Sequence, residues 1–364
     1  MIGVIGSGSW ATAVAKILLE QEIEPLYWWV REPEIRESLA SDGLNCLYLR
    51  EAEFDPQQLV ICDDINEVFR QCEYIYLVVP TAYLPGALSA ADPALIRSRN
   101  LISAIKGFVP ETDEIVTDYL GHTFQIPDDR LAIISGPTHA EDVARENLTF
   151  ITCASLNPRL AQTVQSQMQC QYINATVSND IRGIQYATAL KNIYAVAAGI
   201  VRGIGCGDNL LAVLVSFAIA EMAQCMQAIE PKRVRQLRPV DTPPYLGDLL
   251  VTCYSQYSRN RTFGTMIGRG YSVKSALLEM TMVPEGYYAA KSMEKVRILH
   301  NLDLPIANFV YKVLYENAKP EVVIRAWQMS LHGDNPVTRR PKSADRPATR
   351  RHHRDKLWIS RFKI

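Results

Sequence analysis

The sequence predicts an α/β fold, with an N-terminal doubly wound, mostly parallel sheet and an all-helical C-terminal domain. Three observations lead there. Short apolar runs alternate with helix-forming stretches up to about residue 180, the pattern of strands joined by crossover helices. A glycine turn, Gly6-Ser7-Gly8-Ser9-Trp10-Ala11, links the first apolar run to the first helical one. From Ile181 to about Ile229 the chain turns Ala-, Val- and Leu-rich at helical spacing, and helical patterns return after Arg261.

A chain of 364 residues exceeds one ordinary core, so two domains are expected. The boundaries drawn from the change of character are 1–180, 181–332 and a basic tail, 333–364. With 48% apolar residues and a net charge of −1, the chain reads as globular, and its charge argues against nucleic acid as a partner. No apolar run reads as long enough to span a bilayer, so no membrane partner is expected, apart from the basic tail, which reads as disordered or loosely docked and could touch anionic lipid or nucleic acid; no secretory signal is evident. The eight scattered cysteines form no CxxC pair and read as reduced thiols of a cytoplasmic protein.

Taken in order, Met1 to Ile5 is an apolar strand and Ala11 to Leu19 a good helix former. The turn between them is a phosphate cradle of the Rossmann type. Gly6 permits the tight turn, Gly8 leaves the backbone open to a pyrophosphate, and Ala11 keeps helix and strand close. The second strand is Pro25 to Val30. An Arg at its end accommodates a 2′-phosphate where an acidic residue would bond the ribose hydroxyl, so Arg31 favours NADPH, and Glu32 beside it leaves NADH open. Glu32 to Ala40 reads as a helix, Leu59 to Cys62 as a strand, and Ile65 to Gln71 as a short helix. Tyr74 to Val79 is a strand, with a helical stretch to Arg97. Leu101 to Ile105 follows, with Lys106-Gly107 at its carboxyl end, where ligands sit in open α/β sheets. Glu111 to Leu120 reads as a helix. Leu131 to Ser135, Thr149 to Ala154 and Cys170 to Asn174 complete the sheet.

In the second half, Lys191 lies inside an apolar helical stretch, where it either snorkels or is held by partners. Partial burial would lower its pKa and make it a general acid/base near neutral pH. Asp248 and Thr252, four apart, share one helix face, and Asp248 could hold an ammonium. Ser258-Arg259-Asn260 groups residue types that bind phosphate, or else caps a helix. Gly205-Cys206-Gly207 reads as a break with a helix cap at Asp208 or Asn209. His139 has no second His placed with it, so no metal site is expected.

Together these motifs resemble the bacterial NAD(P)-dependent glycerol-3-phosphate dehydrogenases over roughly residues 1 to 330. The motifs are Gly6 to Ala13, Trp29-Val30-Arg31, Lys106-Gly107, Gly136-Pro137-Thr138-His139-Ala140-Glu141, Ala189-Leu190-Lys191-Asn192, Gly207-Asp208-Asn209, Gly247-Asp248-Leu249, Ser258-Arg259-Asn260 and Glu285-Gly286. The resemblance implies hydride transfer between nicotinamide and C2 of glycerol 3-phosphate or dihydroxyacetone phosphate, supplying glycerophospholipid synthesis, in a homodimer. It implies Lys191 as proton donor and acceptor at the C2 oxygen, Lys106 beside both ligands, and Asp248 and Thr252 ordering Lys191. Arg259 with Asn192 and Asn260 would hold the substrate phosphate. Ser9, Trp10, Arg31, Ala140, Val283 and Glu285 match cofactor positions, and Gly136, Thr138 and Ser258 match substrate-loop positions. The chain departs from the family's pattern at Gln185, where Glu is usual, at Leu210-Leu211 and Phe217, and at Leu49-Arg50. Glu230 to Pro244 reads as a surface insertion. A related dehydrogenase of hydroxy or sugar acids, or a non-catalytic cofactor-binding protein, is the alternative reading.

Overall fold

The computed structural model describes residues 1–21, 25–229, 239–280 and 282–331. The basic tail, and residues 230–238 of the insertion, lie outside the described residues. The first half forms an eight-stranded sheet. Its strands are β1 (Ile2–Ile5), β2 (Leu26–Trp29), β3 (Leu59–Cys62), β4 (Tyr74–Leu77), β5 (Asn100–Ser103), β8 (Leu131–Ser135), β9 (Thr149–Ser155) and β10 (Ile173–Ser178); a separate hairpin pairs β6 (Phe108–Val109) with β7 (Glu114–Ile115). The spatial order is β10-β9-β8-β5-β4-β1-β2-β3. Every adjacent pair is parallel except β8 with β9. The order reverses at β1, which places the first glycine turn at the topological switch point where dinucleotides bind.

Helices α1 (Ser9–Leu19), α2 (Pro33–Asp42), α3 (Ile65–Gln71), α4 (Leu84–Leu88), α5 (Pro93–Arg97), α6 (Val116–Phe124), α7 (Ala140–Ala144) and α8 (Pro158–Met168) accompany the sheet. The apolar strands are buried on both faces, as parallel sheets require, so Val4, Ile5, Tyr76 and Leu77 are fully covered. The expected helix from Glu111 to Leu120 is corrected: it begins only at Val116, because the chain first turns through Asp113, at φ 58°, into the β6–β7 hairpin.

After β10 the described residues form helices and no strand: α9 (Ile181–Ile204), α10 (Gly207–Ile229), α11 (Asp248–Tyr254), α12 (Arg259–Gly268), α13 (Val273–Glu279), α14 (Glu285–Leu299), α15 (Pro305–Tyr315) and α16 (Pro320–Ser330), with a π-helical turn at Pro243–Gly247. Helix α10 starts at Gly207 itself, so Asp208 lies within its first turn instead of capping it. By length and composition α10 is apolar enough to cross a bilayer, which corrects the expectation that no run is; here its Leu214, Ala218 and Met222 are buried in the helical body.

Helix α9 is the axis of this body. Its residues from Gly183 to Val201 are buried without a gap. Helix α12 crosses it at backbone contact: a Cβ on Gly199 would come within 2.1 Å of the Arg261 carbonyl oxygen, and one on Gly264 within 2.1 Å of that of Val196. Only glycine permits this approach, and it carries the start of α12 toward the Lys191 region. Glu221 of α10 fixes the other side. Its carboxylate accepts the N–H groups of Ile306 (2.8 Å) and Ala307 (3.0 Å) at the start of α15, and the Tyr194 hydroxyl (3.2 Å). Two residues at which the resemblance leads one to expect others are held by their neighbours. The Gln185 amide donates to Thr117 Oγ1 (2.7 Å) and its oxygen accepts from Thr117 N (3.2 Å), while Phe217 meets the Trp327 ring edge-on.

Candidate active site

The glycine turn adopts the geometry its sequence requires. Gly6 has φ 130°, and a Cβ there would lie 2.2 Å from the Val78 carbonyl oxygen. Gly8 is extended, and a Cβ there would meet no protein atom within 4 Å. The space over its backbone is therefore open, and no side chain caps the N-terminus of α1, where Ser9 begins the helix. Unbonded N–H groups facing open space suit an anion. Ala11 is fully buried against the sheet. Asn45, which sequence reasoning missed, holds the turn from below: its amide donates to the Ser7 carbonyl (2.8 Å) and Thr12 Oγ1 (2.9 Å). A single Asn in a loop gives no spacing signal that would find it.

Four of the predicted groups converge beside this turn. Lys191, on α9, is buried and donates to Asp248 Oδ1 and to Thr252 Oγ1 (3.2 Å). Both partners stand on α11 one turn apart, as their spacing predicts. Lys106, at the carboxyl end of β5, approaches the other carboxylate oxygen, Oδ2, at 3.9 Å and donates to Thr138 Oγ1 (3.5 Å). Its ammonium lies 5.7 Å from the Trp10 ring centroid. Asp248, only 1% exposed, thus stands between two lysines from the two halves of the chain, and Oδ2 has no hydrogen-bond partner.

The electrostatics follow from burial. Desolvation pulls the Lys191 ammonium down to about 7; the Asp248 carboxylate opposes that fall and Lys106 adds to it. His139, just before α7, has its imidazole lowered by burial and by the two lysine charges, so it is neutral at pH 7. Its ring meets Tyr257 edge-on, and its buried Nε2 has no partner. The Trp10 indole N–H is likewise buried and unpaired. Orphaned polar atoms at Trp10, His139 and Asp248 mark one region ready to bond a ligand.

The remaining predicted residues lie around this centre. Gly136, at φ 146°, makes the turn after β8, and Ala140 opens α7. Asn192 is buried beside Lys191 on α9. Ser258 caps α12 by accepting from Arg261 N (3.3 Å), so the capping reading of that residue holds. Asn260 Oδ1 accepts from Gly286 N (2.8 Å), which ties α12 to α14. Arg259 is exposed and reaches Met282 Sδ (3.5 Å), next to the half-buried Val283. Glu285 accepts from Thr81 N (3.4 Å) and Thr81 Oγ1 (3.2 Å), joining the two halves. Burial pushes its carboxyl up to about 7, against those hydrogen bonds and the field of Arg259. Arg31 stands apart from the lysine pair, exposed at the end of β2 and paired with Glu32.

The comparisons with known proteins show the family. The family described as NAD-dependent glycerol-3-phosphate dehydrogenase N-terminus matches residues 1–161, and the corresponding C-terminus matches residues 180–325. A glycerol-3-phosphate dehydrogenase [NAD(P)+] of Syntrophotalea carbinolica is 34% identical over 337 residues, covering 92% of this chain and 99% of the relative. That of Staphylococcus haemolyticus is 32% identical, over 87% of this chain and 94% of the relative. The crystal structure of glycerol-3-phosphate dehydrogenase from Coxiella burnetii superposes with a TM-score of 0.80 at 25% identity, covering 90% of this chain and 98% of that one. A D-mandelate dehydrogenase structure, at TM-score 0.57 and 15% identity, shares the fold alone.

Proposed function

The chain belongs to the NAD-dependent glycerol-3-phosphate dehydrogenases, and from that premise we propose how its own residues carry the reaction. The enzyme interconverts dihydroxyacetone phosphate and glycerol 3-phosphate with NAD(P). The residues fit a dinucleotide: the space over Gly8 is open, and the N–H groups at the start of α1 have no side-chain cap. Gly6, Gly8, Ser9, Trp10, Arg31, Lys106, Ala140, Arg259, Val283 and Glu285 would hold it. When bound, the nicotinamide supplies the hydride for reduction and accepts it in the reverse direction.

The observation that carries the proposal is the buried Lys191–Asp248–Lys106 cluster. Reduction of a ketone leaves negative charge on its oxygen. Lys191, with a pKa near 7, gives its proton to the C2 oxygen of dihydroxyacetone phosphate, and in the reverse direction its free amine takes the proton back. Lys106 adds a second positive charge toward the same oxygen in a dry site, where such charge is most effective. Asp248 and Thr252 orient the Lys191 ammonium. Arg259 offers a planar fork to the substrate phosphate, with the amides of Asn192 and Asn260 beside it; Gly136, Thr138 and Ser258 shape the substrate loop. Binding energy from that non-reacting phosphate positions the carbonyl.

The proposal extends to supply of glycerophospholipid synthesis, to a homodimer, to NADPH as the preferred cofactor and to a reducing, cytoplasmic setting, which the eight free thiols suit. The functional division falls near Asp180, between the cofactor-holding sheet and the helical substrate half. The test is initial rates with dihydroxyacetone phosphate, comparing NADPH with NADH, beside a panel of keto acids. Turnover with dihydroxyacetone phosphate supports the reading, and turnover only with a keto acid rejects it.

A further inference from the structure

Glu32 makes contacts that the reaction does not require. Its Oε1 accepts from Arg31 Nε (3.1 Å) and Nη2 (2.6 Å), and its Oε2 accepts from Ser7 Oγ (2.6 Å) inside the glycine turn. The Glu32 side chain is 18% exposed and that of Arg31 66% exposed, so the carboxylate is the fixed member and the guanidinium the reaching one. The Arg31 guanidinium also lies 5.8 Å from the Tyr83 ring centroid. The Arg31 and Ser7 hydrogen bonds hold the Glu32 carboxyl below its usual range, despite its partial burial, so it is charged at neutral pH.

The end of β2 is where a dinucleotide fold reads the ribose 2′ position. Two opposite signals meet there. Two of the five guanidinium N–H groups of Arg31 are already taken by a carboxylate, which also repels a 2′-phosphate dianion. The same carboxylate can accept a hydrogen bond from a ribose 2′-hydroxyl. We infer that Glu32 is a selectivity residue that holds Arg31 back from the 2′-phosphate and thereby lowers the enzyme's preference for NADPH over NADH. This rests on the reading of the glycine turn as the dinucleotide site.

The test uses the full chain, without substrate, and titrates NADPH and NADH by nicotinamide fluorescence. In Glu32→Gln the ratio of the NADH to the NADPH dissociation constant rises by about tenfold or more, the scale of one charge-assisted hydrogen bond gained on one ligand and lost on the other. The ratio of kcat/KM for NADPH to that for NADH rises with it. In the Arg31→Ala background, Glu32→Gln raises the affinity for NADPH by less than in the parent, because only the repulsion is relieved and there is no guanidinium to release. Glu32→Ala repeats the measurement should the amide form new bonds to Ser7. A ratio unchanged within about threefold in both variants overturns the inference while leaving the dinucleotide site standing. Failure of the unaltered protein to bind either nucleotide overturns both.

Discussion

Lys191 and Asp248 form a buried ion pair across two helices, the ammonium from α9 and the carboxylate from α11. A lysine with no counter-charge at that depth would lose its proton well below neutrality, whereas the pair holds it near 7. The pH dependence of the enzyme is therefore written into this contact.

Reduction needs protonated Lys191, so its kcat/KM is full below pH 7 and falls as pH rises through about 7. The reverse oxidation needs the free amine and rises through the same region. Parallel pH profiles in the two directions check this; profiles that rise together contradict it.

Replacing Asp248 by Asn removes the charge that supports the ammonium. The Lys191 pKa then drops further, and the midpoint of the reductive profile moves to lower pH. A purely structural Asp248 would change the rate without moving the midpoint.

The two turn glycines separate fold from binding. A Cβ at Gly8 meets no protein atom within 4 Å, so Gly8→Val keeps the thermal midpoint of the parent but loses nucleotide binding by about a hundredfold or more, since its side chain fills the ligand's path. Gly6→Ala clashes with the Val78 carbonyl at φ 130° and lowers the thermal midpoint itself. Nucleotide titration beside thermal unfolding distinguishes them.

Glu221 is structural. Glu221→Gln turns an N–H donor toward one of the two α15 amides that now share the carboxylate. The lost acceptor costs about 1–3 kcal/mol of stability, measured by urea unfolding, with nucleotide affinity unchanged.

Much of this was legible in the residues. Most strands of the sheet are short apolar runs, but the last was expected at Cys170 to Asn174 and lies at Ile173–Ser178, where polar residues alternate with apolar ones. Lys191 declares itself as the one cation between Arg182 and Arg202 in an Ala-rich helix, and the four-residue spacing of Asp248 and Thr252 puts them on one face. What stayed hidden depends on contacts distant in sequence. The β6–β7 hairpin has two residues per strand, below any periodicity, and its flank resembles the helix that follows. Asn45 and Glu221 are single polar residues, and only the fold reveals the backbone groups they satisfy. A Ser-Arg-Asn sequence allows both a helix cap and phosphate binding, and the cap at Ser258 shows only in its hydrogen bond from Arg261 N.

The most direct measurement of the central claim is the initial rate of dihydroxyacetone phosphate reduction by Lys191→Ala, with NADPH binding measured on the same preparation. Turnover should fall by ~100-fold or more, the usual scale for a missing general acid, with nucleotide affinity nearly unchanged. Unimpaired turnover in that variant contradicts the claim.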